Sequence, residues 1–128
     1  MNPEGIVIKP SRYTVKDTID RLEDFLRQHG VTIYARIDQQ AELNKVGLSI
    51  PPLAYILFGD PRAGGPLMVE NPLAALDLPL KIIVWEDGSG DVRIAYNEAS
   101  YIAERYSLQL AANSPLVLDN LVAGVLKG

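Results

Sequence analysis

The sequence predicts an α+β domain of two layers, a mixed sheet with helices on one face, and three observations carry that prediction. A capped amphipathic helix follows a short first strand. An apolar strand, Ala54 to Phe58, lies between helical segments. Two further strands, Leu80 to Glu86 and Val92 to Tyr96, are separated only by Asp87-Gly88-Ser89-Gly90-Asp91. A tight hairpin joins antiparallel strands, whereas helical crossovers join parallel ones, so both kinds of connection point to a mixed sheet. The alternative, a doubly wound parallel fold, needs strand–helix alternation to the end, which the hairpin breaks.

The elements follow in order. Gly5 to Lys9 is extended, and Pro10 weakens its continuation. Thr14 is the N-cap of the clearest helix, with Asp17 three residues on in a capping-box-like start. Val15, Ile19, Leu22, Phe25 and Leu26 form its apolar stripe, and Gly30 supplies the left-handed exit. Thr32 to Ile37 alternates, with Ile33, Ala35 and Ile37 on one face and Thr32, Tyr34 and Arg36 on the other. Asp38 ends that strand and caps a short helix that Gly47 terminates. Ala54 to Phe58 is apolar on both faces, as a central strand is. Pro66 to Leu76 reads as short helix started by Gly-Gly-Pro and broken at Asn71-Pro72. Glu98 to Ser107 is helical. A last apolar helix is capped by Ser114, begins at Pro115 and continues to Leu126.

The 128 residues match one domain with a core of its own, 1–128 without a boundary. With 48% hydrophobic and 22% charged residues the chain has the composition of a globular domain. It contains no cysteine, which excludes disulfides, thiolate metal sites and cysteine nucleophiles and fits a reducing cytoplasm. The start, Met1-Asn2-Pro3-Glu4, has no basic region followed by an apolar stretch, and no apolar run reaches a membrane span of about 20 residues. A net charge of −4 argues against a phosphate-tracking surface, so no nucleic acid is expected.

Several motifs then occur in fixed order: Tyr34-Ala35-Arg36-Ile37-Asp38, Gly47-Leu48, Pro51-Pro52, Leu57-Phe58-Gly59-Asp60-Pro61, Gly65-Pro66-Leu67-Met68, Ala75-Leu76-Asp77-Leu78-Pro79-Leu80-Lys81 and Trp85-Glu86-Asp87. Over most of its length the chain resembles the bacterial and archaeal family known as domain of unknown function 302. The resemblance implies a two-layer fold related in topology to half of the TATA-binding protein, and it implies no activity. Two positions depart from the family pattern. Gln39 stands where His commonly follows Asp38, and Asp60 stands where the turn commonly has Asn.

The expected ligand site is the turn from Gly59 to Pro66. Gly59, Asp60, Arg62, Gly64 and Gly65 would offer backbone N–H groups and one guanidinium to a small polar or anionic metabolite. The segment lacks the Gly-Lys-Ser/Thr ending of a phosphate-binding loop, and ordinary turn chemistry also accounts for its residues. The expected function is a non-enzymatic ligand-binding or interaction module. The alternative is an enzyme with Asp38 as general base near the same turn, a role that needs burial of the carboxylate. Asp38 also suffices as a helix cap. His29, the single histidine, falls in a last helical turn, where a cation complements the dipole. Glu86, Asp87 and Asp91 flank the hairpin without the spacing of an EF-hand loop. No serine lies in a Gly-x-Ser-x-Gly elbow. No cofactor and no metal are expected.

The sheet face turned away from the helices is expected to carry Tyr34, Arg36, Arg93 and Lys9, joined by Ile83 and Trp85. Aromatic, apolar and arginine side chains together have the composition of an interface. A homodimer is expected, through this face (Tyr34, Arg36, Trp85, Arg93) or through the apolar C-terminal helix.

Overall fold

A computed structural model describes residues 3–111 and 113–127. The opening Met1-Asn2, part of the start read above, lies outside them. Five strands form one sheet: β1 (Ile6–Ser11), β2 (Thr32–Asp38), β3 (Leu53–Gly59), β4 (Leu80–Glu86) and β5 (Val92–Asn97). Their order is β1-β5-β4-β3-β2, and every adjacent pair is antiparallel. The α+β two-layer expectation therefore holds, while the mixed sheet is corrected. The crossover through α1 (Val15–Gln28) does join two strands of the same direction. It lands β1 and β2 on opposite edges with three strands between them, so they never pair.

One face of the sheet is covered. From α1, Val15, Thr18, Ile19, Leu22 and Leu26 are buried against it. They meet Ile56 and Phe58 of β3, Ile82 and Val84 of β4, and Ile94 and Tyr96 of β5 in one core cluster. The predicted cap is present, with Asp17 N–H donating to Thr14 Oγ1 at 3.0 Å. Thr18, the buried polar side chain of the core, is satisfied by donating to the Thr14 carbonyl and bonding the Ser11 hydroxyl.

Two helix starts are corrected. The helix after β3, α3, begins at Pro61 with Asp60 as its cap, and runs through Gly64, Gly65 and Pro66 to Glu70. Proline at the first position costs no hydrogen bond, and the side-chain cap at Asp60 sets the start earlier than the Gly-Gly-Pro sequence implied. The break at Asn71-Pro72 is as expected and leads into a 3₁₀ turn, Pro72–Leu76. The final helix, α5, starts at Asp119 rather than Pro115. Ser114 caps only a turn, accepting from Leu116 N–H at 3.2 Å. The remaining helices, α2 (Gln39–Asn44) and α4 (Ala99–Arg105), lie near their predicted positions.

Candidate functional site

At the turn after β3 the sequence places Gly59, Asp60, Arg62, Gly64 and Gly65 around a helix start. Asp60 Oδ1 accepts from Arg62 N–H at 3.0 Å. The Asp60 carbonyl accepts from Ala63 and Gly64 N–H at 2.9 and 2.7 Å. Pro61 has no N–H to offer. The Arg62, Ala63 and Gly64 amides are thus engaged within the turn itself, and Arg62 is exposed to solvent. A pocket of about 210 Å³ does open beside the turn, with Gly59, Asp60 and Gly64 in its wall. Its other walls are largely apolar, from Tyr34, Met68, Leu78 and Pro115, and neither Arg62 nor Gly65 lines it.

Asp38 lies elsewhere. It pairs with Ala54, whereas Thr32 pairs with Gly59, so the carboxylate and the turn occupy opposite ends of the β2–β3 ladder. Five residues of extended strand separate them, about 17 Å. The enzyme reading, with Asp38 acting near the turn, does not find its two parts together. Asp38 is exposed and caps α2, accepting from Ala41 N–H at 3.0 Å, so the burial that a base role requires is absent. It borders a cleft of about 520 Å³ beneath the first turn of α1, shared with Lys16, Arg36 and Glu86. The two cations there are already paired. Lys16 Nζ lies 2.7 Å from Asp20 Oδ2, and Arg36 binds Asp20 Oδ1 at 2.7 Å and Glu23 Oε1 at 3.3 Å. Hydrogen bonds from Lys16 and then Arg36 hold the Asp20 carboxyl below its ordinary value.

His29 ends α1, with its ring stacked on Phe25 at 4.2 Å and Nδ1 2.8 Å from the Phe25 carbonyl. In the hairpin, Asp87 accepts from Ser89 and Asp91 N–H and from Arg93 Nε at 2.9 Å. The Arg93 bond chiefly lowers its carboxyl, with the two amides adding to it. This aspartate closes a turn.

The second face of the sheet also departs from an ordinary solvent surface. Directly paired residues share a face, so the registers assign it without ambiguity. Ile83 of β4 stands between Tyr55 of β3 and Ala95 of β5, and Trp85 stands between Leu53 and Arg93. Ile8 extends the row onto β1 and Ile37 onto β2. All except the buried Ala95 are half-buried, and none belongs to the core cluster on the helix side. An antiparallel sheet with one free face normally alternates apolar inward and polar outward. Here the middle of the second face is apolar as well.

Of the four residues expected at an interface, Trp85 and Arg93 are on this face and adjacent. Arg36 is not. The β2 register shifts between Ile33 and Ala35, a bulge at Tyr34. The extra residue turns Ala35 and Ile37 to the uncovered face and Arg36 to the helices, where Asp20 and Glu23 receive it. Lys9 is likewise corrected, because it pairs with Ile94 of the core face. Tyr34 itself projects at the bulge, 53% exposed, beside the turn pocket. The alternative interface, the C-terminal helix, is engaged internally. Val122 and Val125 of α5 are buried, and Arg21 Nε donates to the Val125 carbonyl at 2.9 Å.

Comparison with known proteins agrees with the fold. The family model described as "Domain of unknown function DUF302" matches residues 7–122. The crystal structure of an uncharacterized conserved protein DUF302 from Bacillus stearothermophilus superposes with a TM-score of 0.74 at 20% identity, covering 97% of each chain. Among curated proteins, the chain is 37% identical over 120 residues to "Fluoride-specific ion channel FluC 1" of Brucella suis biovar 1 (strain 1330). It is equally similar to "Fluoride-specific ion channel FluC 2" of Brucella melitensis biotype 1. The match takes in 94% of this chain but only 46% and 44% of those proteins, so the chain spans less than half the length of either. Among the described residues no helix is long and apolar enough to cross a membrane.

Proposed function

The chain is a member of the DUF302 family, and from that premise we propose that it is a non-enzymatic interaction module, one domain whose working surface is the uncovered face of its sheet. The observation that supports this reading is the apolar row through Tyr55, Ile83 and Ala95, with Trp85 and Leu53 beside it. Each Å² of apolar surface left in water costs roughly 25 cal/mol, so a face this broad favours a partner. Trp85 is the single tryptophan and reports on the face directly. In the free protein we expect either self-association that shields Trp85 from acrylamide, or binding of an apolar dye that Ile83→Lys abolishes. A monomer whose Trp85 is freely quenched, which binds no dye, would make the face plain surface and end this reading.

A second reading comes from the Brucella relatives. Their matched segment is under half of each protein, and this fold offers no membrane-crossing helix among its described residues. A pore would then belong to their other half, with a domain like this one beside it as an accessory. For this chain the same role would mean docking next to an anion channel without itself holding the ion. Because the Arg62, Ala63 and Gly64 amides of the turn are engaged, fluoride at millimolar concentration should raise the melting temperature no more than chloride does. A ligand at 100 times its Kd stabilises by about 2.7 kcal/mol, so a fluoride-specific site would be plainly visible. Such a shift would return the anion site to the turn.

A further inference from the structure

We propose that the uncovered sheet face docks on the same face of a second copy, about a twofold axis that crosses β4 at Val84, so that Lys81 of each copy meets the Asp87–Asp91 hairpin of the other. This rests on the reading of the face as a docking surface, and it adds the partner and the orientation.

The size is adequate for a specific contact. Five strands at about 4.8 Å and six residues at about 3.4 Å give a projected face of roughly 24 by 20 Å. Two such faces bury about 1,000 Å² before side-chain relief is counted, the lower bound of specific interfaces. The row from Ile8 through Ala95, Ile83 and Tyr55 to Ile37 is apolar from edge to edge and can lie on its own copy, as a twofold contact requires.

Charge selects the orientation. β4 is the central strand, and on the uncovered face it shows Lys81, Ile83 and Trp85 in turn. At its start stands Lys81, exposed, with Nζ 4.9 Å from the Tyr55 ring centroid and no carboxylate paired to it among the described residues. At its end lie Arg93, Asp87 and Asp91, with Arg93 Nε 2.9 Å from Asp87 and Nη2 4.0 Å from Asp91. One cation and two carboxylates leave that end net negative. An axis along the strands would place Lys81 against Lys81 of the partner subunit, and one hairpin against the other. An axis across the strands stacks β4 antiparallel on β4 and sets each positive end over a negative one. It also keeps the two sheets near-aligned, as in packed sandwiches, with the apolar rows in contact at the centre.

The test is a charge swap in the full chain, read by sedimentation at low ionic strength, with circular dichroism confirming the fold. Lys81→Glu and Asp91→Lys, both at exposed positions, should each raise the dimer dissociation constant about tenfold or more. The double variant should return it to within about threefold of the parent, because the reversed charges again face each other. Added salt should shrink the single-variant effects. A dimer indifferent to Lys81→Glu, or a double variant no better than the singles, overturns the orientation. A chain that stays monomeric at about 100 μM while its face still binds an apolar dye overturns the second copy and leaves the docking surface standing. A monomer whose face binds nothing removes both.

Discussion

Ile83→Lys is expected to break the proposed dimer while leaving the fold in place. Ile83 is half-buried at the centre of the uncovered face, between Tyr55 and Ala95. In a lone chain a lysine there can lay its stem across the apolar row and hold its ammonium in water. Between two stacked faces it cannot, because no carboxylate of the central row is there to receive it. An unpaired charge trapped in an interface costs about 2–5 kcal/mol, equivalent to a rise in dissociation constant of 30-fold to several thousand-fold. Sedimentation over micromolar concentrations should show the shift, with the far-ultraviolet spectrum unchanged. Loss of the spectrum would mean that Ile83 is needed within one chain, and an unchanged dimer would move the interface off this face.

Much of this arrangement was legible in the sequence, and the exceptions have a common cause. The period of the apolar residues places α1 correctly, and Thr14 and Gly30 mark its ends. The hairpin is legible because Asp87 and Gly90 fit its turn, Gly90 at a φ of 85° that glycine adopts without strain. Period alone does not reveal a bulge. The single extra residue at Tyr34 reverses the faces of Ala35, Arg36 and Ile37, so an arginine expected outward is held by the carboxylates of α1. A signal for it existed in the acids at Asp20 and Glu23, one turn apart on the helix that follows β1. Leu53, Tyr55 and Leu57 were missed as surface residues for a different reason. A strand apolar on both sides reads as one buried on both sides, and sequence cannot say whether the second cover belongs to the same chain. At the turn, glycine content suggested free amides. Whether those amides are spent depends on where the helix begins, and Asp60 begins it five residues early.

Ile56 and Leu57 are neighbours on β3 whose side chains point to opposite faces, and truncating each should separate what the chain holds by itself from what a partner holds. Ile56 is fully buried among core residues, paired in register with the equally buried Ile82. Ile56→Ala should lower the unfolding free energy by about 2–5 kcal/mol, through lost burial and the cavity left behind. That loss should not depend on protein concentration. Leu57 is half-buried on the uncovered face, opposite Lys81. Leu57→Ala should cost under about 1 kcal/mol when the chain is dilute, since its outer surface already meets water. As concentration rises the variant should fall further behind the parent, because the proposed association would stabilise the parent by mass action and the truncated face would bind less well. Urea denaturation at two protein concentrations a hundredfold apart would show both behaviours. Equal losses for the two variants at the lower concentration would place Leu57 in a second core of the same chain. The contrast between them is therefore the most direct measure of whether this sheet has one internal face or two.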